Sequence, residues 1–390
     1  MTLGTRTRMD GVWEAAAPHV GDAQVPGLVV LIEHDGEVYV KSFGVLGHGR
    51  DPVTRDSLFR IASITKPLTA ACTLALIGEG LIGLDEPVGR LLPELASPRV
   101  LARPDGPLDD TVPVDREITT RDLLTFTYGF GFCADMFMSS TPWPIFEASE
   151  EQLQLATLGP PNPSIQPDPD TWIARLGSLP LIFQPGERFL YNTSAAVLGV
   201  LCARAAGVPF SQALRSRVLS PLDMDDTAFF TDDTSRLATG YRSTPEGLVV
   251  FDEADGDFSH SRAFDDGGSG LVSTVDDLNK FATMLLCGGV SVLSDQQVAD
   301  MTRDQLTPAQ KVHSPFGPGW FDHQSWGYGI RVHDNGAFGW DGGFGGTFLV
   351  DPTNDLVVIV LTQRMFESSD APQVHKDVQS AAYAAIEIED

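Results

Sequence analysis

The chain reads as a mixed α/β (α+β) protein in which one antiparallel sheet, flanked by helices, is assembled from segments near both ends, with a mostly helical lobe inserted between them. Three observations point there. Runs rich in β-formers fall at residues 28–34 and 38–43 near the start, and at 326–332, 347–350 and 356–362 near the finish. Between about Asp85 and Phe264 that signal fades, and helical patches alternate with proline-rich connections. At 390 residues the chain exceeds the usual size of a single core, so two lobes are expected: residues 1–84 with 265–390 as the sheet domain, and residues 85–264 as the helical one.

Each element has a local reason. Residues 10–20 form a short amphipathic helix pattern. The first two strands are separated by Asp35-Gly36, a pair that tolerates the left-handed backbone of a tight hairpin. A helix follows from about Ser63, with Pro67 near its start, where a missing N–H matters least, and Gly78 and Gly80 at its end. Thr119 and Asp122 make a capping pair for a helix at 118–124, and Gly207 separates apolar-periodic helices at 197–206 and 209–218. Residues 132–180, rich in proline, tryptophan and methionine, read equally as a pocket wall or lid and as a surface excursion. Beyond Gly267-Gly268-Ser269-Gly270, residues 274–286 are helical with Asp276 and Asp277 in the first turn, and residues 373–386 close the chain as a helix.

Composition narrows the partners. A net charge of −27 makes a surface that repels nucleic acid and anionic membranes. The four cysteines, Cys72, Cys133, Cys202 and Cys287, are widely spread, and three of them (Cys72, Cys202 and Cys287) sit in apolar helical runs, so buried free thiols are expected. Residues 1–21 contain no continuous apolar stretch of the signal-peptide kind, and the expected location is the cytoplasm. The eight histidines show no metal-ligand spacing, there is no phosphate-binding G-x-x-x-x-G-K-[ST] loop, and Gly267-Gly268-Ser269-Gly270 is not a G-x-S-x-G elbow. No metal or cofactor is expected.

The chemistry concentrates at three places. Ser63 and Lys66 stand three apart on one helical face, and a lysine in a dry pocket can lose its proton and accept that of the serine. Lysine is scarce here, and of Lys41, Lys66, Lys280, Lys311 and Lys376 only Lys66 has a serine three positions before it, inside an otherwise apolar helix. Tyr191 follows Pro185-Gly186 and precedes an apolar helix; alone it reads as a packing residue, whereas beside a cation a phenol can relay protons. The glycine-rich run 338–347, just before a strand, reads either as a bulged hairpin or as a place where a backbone or ligand approaches closely, with a strand-edge N–H beside that of Ser63.

Taken together, Ser63-Ile64-Thr65-Lys66, residues 118–125, Pro185-Gly186 through Tyr191, residues 267–278 and Trp340-Asp341-Gly342 resemble the serine β-lactamase and penicillin-binding-protein family, class C type, in its family VIII carboxylesterase branch. The resemblance implies a β-lactamase/transpeptidase-like fold, Ser63 as acylated nucleophile, and Lys66 and Tyr191 sharing the base and acid work, with the deprotonating partner left open. It also implies that Gly343, three after Trp340, supplies the second oxyanion N–H, next to Gly342. Two departures bear on substrate. Trp340 stands where class C β-lactamases carry the lysine that attracts a carboxylate, and Thr193 stands where an asparagine amide is usual. A neutral small-molecule ester is therefore the expected substrate, with Phe130, Phe132, Met136, Met138 and Trp143 as candidates for its apolar pocket. The alternatives are an acyltransferase, a D-amino-acid amidase or peptidase, a weak β-lactamase, or a binding protein that has lost turnover.

Overall fold

The computed structural model describes residues 8–22, 24–159, 162–313 and 315–386. Of the N-terminal stretch read above for a leader, residues 1–7 lie outside the described ones. Strands β1 (Gly27–His34) and β2 (Glu37–Gly44) form the first hairpin, and its turn has Asp35 and Gly36 at φ 51° and 73°, both left-handed. The remaining strands of the main sheet come late: β3 (Gln324–Trp326), β4 (Arg331–His333), β5 (Phe338–Gly342), β6 (Gly346–Asp351) and β7 (Leu356–Thr362). Their spatial order is β2-β1-β7-β6-β5-β4-β3, antiparallel throughout. Pairing of Leu28 with Thr362 through His34 with Leu356 is what joins the two ends of the chain.

Both faces of this sheet are covered, which is why β1 and β7 read as unbroken apolar runs. Side chains alternate between two cores. Leu28, Val30, Ile32, Val358 and Val360 pack under helices α1 (Asp10–Ala16) and α6 (Gln373–Ile386), which supply Val12, Val378 and Ala382. Val29, Leu31, Val357, Ile359 and Leu361 face the other way, into a larger core shared with helices α2 (Thr65–Gly78), α4 (Thr193–Ala206) and α5 (Val275–Leu286). Helix α3 (Thr120–Leu124) starts on the Thr119–Asp122 capping box, both of whose bonds are made, and α4 ends at Gly207, φ 68°.

The structure departs from the sequence expectations in four places. The run 326–332 is not one strand but the hairpin β3–β4, because Gly329 is left-handed and lies where a Cβ would meet Ala70 of α2 at 2.6 Å. The 85–264 segment, read as mostly helical with a fading strand signal, also holds two short hairpins, at Arg99–Leu101 with Thr111–Pro113 and at Gly240–Thr244 with Gly247–Asp252. The second of these docks on the sheet body, with Tyr241 N–H donating to Gln363 O and Met365 N–H to Tyr241 O, both at 2.8 Å. These strands are short and carry polar residues on their open face, so they lack the apolar alternation that marks a strand. The helix expected at 209–218 is Phe210–Leu214 followed by a wider turn over Arg215–Leu219. Cys287 caps α5 at the surface, so it is an exposed thiol, unlike Cys72, Cys133 and Cys202.

Candidate active site

Ser63 sits in a 3₁₀ turn, Ala62–Ile64, that leads directly into α2. Ala62 is held at φ 43°, an uncommon conformation for a residue with a side chain, and this bends the chain so that Ser63 is presented at the helix tip. Lys66, 1% exposed, places its Nζ 2.8 Å from Ser63 Oγ and 2.7 Å from the carbonyl oxygen of Gly268. That carbonyl belongs to a rigid loop. Gly268 N–H and the Ser269 hydroxyl both donate to the buried Asp266 carboxylate, at 2.7 and 2.8 Å, and Thr69 of α2 donates to Gly267 O at 2.7 Å. Burial lowers the Lys66 pKa to about 7, against the opposing pull of Asp266. The amine is therefore available as a base near neutral pH.

Tyr191 reaches the same point from the other lobe. Its backbone is clamped to Phe132 by reciprocal N–H···O bonds of 3.0 Å, and Asn192, at φ 85°, turns the chain into α4. The Tyr191 ring lies 4.7 Å from Lys66 Nζ, between Phe132 at 5.1 Å and Phe316 at 4.8 Å. Its hydroxyl accepts the indole N–H of Trp340 at 2.8 Å. Burial raises the phenol above its ordinary pKa, with Ser63 and Trp340 pulling the other way, so the Tyr191 hydroxyl is protonated near neutral pH rather than a standing phenolate.

The third wall is the end of β5. A Cβ on Gly342 would lie 2.2 Å from Ile61 O, so only glycine lets this strand press against the turn that carries Ser63. Gly343, the next residue, is exposed, with open space where a side chain would be. Its N–H and that of Ser63 have no acceptor among the hydrogen bonds of the described residues. Two unspent donors beside an activated hydroxyl are what an oxyanion requires. The arrangement can activate a hydroxyl, carry its proton and stabilise negative charge on an attacked carbonyl oxygen.

The sequence profile of the Beta-lactamase family matches residues 12–383. The chain belongs to that family. Protein Rv1367c of Mycobacterium tuberculosis is 37% identical over 333 residues, spanning 80% of this chain and 79% of that one. Esterase EstB of Burkholderia gladioli is 29% identical over 394 residues, spanning 94% and 92%. Among solved structures, EstCE1, described as a hydrolase with promiscuous acyltransferase activity, superposes with a TM-score of 0.80 at 23% identity, covering 96% of this chain and 98% of its own, and shares the fold.

Within this β-lactamase-family site, the structure gathers Ser63, Lys66, Tyr191, Trp340, Gly342 and Gly343 but not every residue the sequence suggested. Thr193 is fully buried, and its hydroxyl accepts from Thr157 at 3.0 Å instead of facing the nucleophile. The amide nearby is that of Asn192, which donates to Thr157 O at 2.8 Å while its oxygen lies toward Gly268. Phe130, 1% exposed, is core, and so are Met136 and Trp143. Phe132, two residues on, is the one that meets Tyr191, because Gly131 between them, at φ 149°, breaks the regular repeat that would put both rings on one face. Trp340 proves to be more than an apolar wall, since it donates to the Tyr191 phenol. Asp266 and Gly268 were missed as site residues. Their signal was present in the glycine run, whose freedom allows Gly267 to lie where a Cβ would be 2.5 Å from Ala195 O.

Proposed function

We propose that this protein hydrolyses neutral carboxylic esters through an acyl intermediate on Ser63. The observation that carries the reading is the 2.8 Å contact between Ser63 Oγ and a buried Lys66 whose pKa lies near 7. The neutral amine keeps one N–H on Gly268 O and takes the Ser63 proton as Oγ attacks the ester carbonyl. The N–H groups of Ser63 and Gly343 receive the developing oxyanion. Tyr191 gives its proton to the leaving alkoxide and regains one from Lys66; water then attacks the acyl-serine by the same route in reverse.

Substrate charge is argued from position 340 and from the groove beyond Tyr191. Trp340 brings an indole where a cation would be needed to hold a carboxylate. A groove of about 380 Å³ opens between Phe132, Ala134, Phe137 and Met138 on one side and Pro315, Phe316 and Gly317 on the other, with Ser369 its only side-chain hydroxyl among the described residues. Phe137 and Met138 are 55% and 65% exposed, and large apolar side chains left in water at a site mouth fit an apolar acyl or alcohol group. Acyl transfer to an alcohol is the second reading, favoured by the openness of this groove to a second reactant.

The test is turnover of short-chain p-nitrophenyl esters and of a chromogenic cephalosporin by the protein and by Ser63→Ala. Ester turnover that disappears in the variant is expected. Cephalosporin turnover of comparable efficiency overturns the substrate assignment, and ester turnover surviving in Ser63→Ala overturns the mechanism. Adding a small alcohol as competing acceptor and measuring the transesterified product separates the two readings.

A further inference from the structure

Behind the strand that carries Trp340 lies a charged pair the mechanism above does not use. Arg331 of β4 faces Gly339 of β5 in register, and its guanidinium extends along the strand to Asp341, Nη1 to Oδ2 2.7 Å. Asp341 also accepts the Thr347 hydroxyl at 2.6 Å. The same guanidinium lies 5.3 Å from the centroid of the Trp340 indole. Both partners are nearly out of water, at 12% and 14% side-chain exposure. Arg331 Nε is buried with no hydrogen-bond acceptor among the described residues, a cost that a purely structural arginine would be expected to avoid.

We infer that Arg331 is a positioning residue for the reaction: locked by Asp341, it holds the Trp340 indole in the orientation that donates to Tyr191. This rests on the ester-hydrolase reading of the site. Asp341 stands between Trp340 and Gly342, so one ion pair orients both the donor to the phenol and the strand end that presents Gly343. The cation over the indole face favours one placement of the ring, and a ring free to turn would lose the 2.8 Å bond to the Tyr191 oxygen. Burial would raise the Asp341 carboxyl, but the charge of Arg331 and the bonds from Thr347 and Arg331 carry it below its ordinary value, so the pair stays ionised.

Removing one charge alone would strand the other, so the informative variant is Arg331→Met with Asp341→Asn, placed in the native chain and beside Trp340→Phe. With p-nitrophenyl butyrate, the double change should lower kcat at least about tenfold while KM stays within about twofold. Beside Trp340→Phe the same change should lower kcat by less than about twofold, because the group it acts through no longer donates. An unchanged kcat, or an equal loss in both backgrounds, overturns the inference. If the double variant does not fold, Arg331→Lys takes its place in the cycle: it keeps the charge but not the flat guanidinium, and a loss of about threefold that vanishes beside Trp340→Phe is expected. If the native protein turns over no ester, the ester-hydrolase reading fails by itself. The same comparison is then made on the rate at which a fluorophosphonate labels Ser63, read by intact mass, with the same two outcomes deciding.

Discussion

The indole N–H of Trp340 donates to the phenol oxygen of Tyr191 at 2.8 Å, a bond between residues 149 apart in the chain. It ties the end of β5 to the helical lobe at the point where Ser63 lies. Trp340→Phe keeps most of the buried ring but removes the donor. Ester kcat should fall roughly tenfold to hundredfold with the fold intact, as read by steady-state kinetics and a thermal melt. Trp340→Lys should be worse on both counts. The new cation would be buried where the Arg331 guanidinium lies 5.3 Å from the ring centre, so a lower melting temperature and no gain in cephalosporin turnover are expected.

Lys66 predicts the pH profile. With the amine pKa at about 7, kcat/KM should rise about tenfold per pH unit on the acid side and level off above neutrality. Lys66→Arg should not restore activity, because a guanidinium stays protonated. Stability carries the same signature. The unfolded lysine keeps its proton to about pH 10.4, so the unfolded state binds more protons between there and about 7, and the burial penalty is full below 7 and relieved as pH rises through that window. Lys66→Met should therefore raise the urea midpoint more at pH 6 than at pH 9.

Two adjacent glycines should respond in opposite ways. Gly342→Ala forces a methyl to within 2.2 Å of Ile61 O and must push the strand off the nucleophile's turn, so both melting temperature and ester turnover should drop sharply. Gly343→Ala meets open space and should leave stability unchanged and turnover within about threefold. Equal effects of the two would mean that β5 does not press on the Ser63 turn.

Acid stability should report on His375. Its Nε2 is 3.1 Å from Gly345 O, in the turn that follows Gly343, and burial holds its pKa down to about 4. The unfolded histidine takes a proton near pH 6.5, so this contribution is whole above that value and is lost progressively as pH falls toward 4. Urea unfolding at pH 7.5 and pH 5 should show a loss that is about 2 kcal/mol smaller in His375→Gln than in the native protein.

The groove should set acyl preference. Along a series of p-nitrophenyl esters, kcat/KM should climb from acetate to octanoate, by up to about fourfold for each buried methylene. Phe137→Ser should flatten that climb while leaving acetate unchanged. A parallel loss for every chain length would place Phe137 in folding rather than in substrate contact.

The trio Ser63, Lys66 and Tyr191, which the structure brings together, could be picked out from local evidence. Ser63 and Lys66 are three apart in an apolar helix, and Tyr191 stands at a Pro-Gly turn before another; spacing and burial are properties a short segment carries with it. The same holds for the Asp35-Gly36 hairpin, the Thr119–Asp122 cap, β7 and α6, where periodicity and turn chemistry agree.

Contacts across the fold were not readable in this way. Nothing near Trp340 says that its N–H meets Tyr191, nothing near Gly268 says that its carbonyl holds Lys66, and Arg331 and Asp341 become partners only when β4 and β5 pair. The choice of Phe132 over Phe130 as Tyr191's neighbour, and the polar hairpin of residues 240–252, likewise depended on which face met another segment. A residue's own neighbours impose its backbone geometry and its tendency to be buried. The partner of its donor or charge is chosen by the packing of segments distant in the chain, through hydrogen bonds and contacts that exist only once the sheet and the lobe have closed on each other.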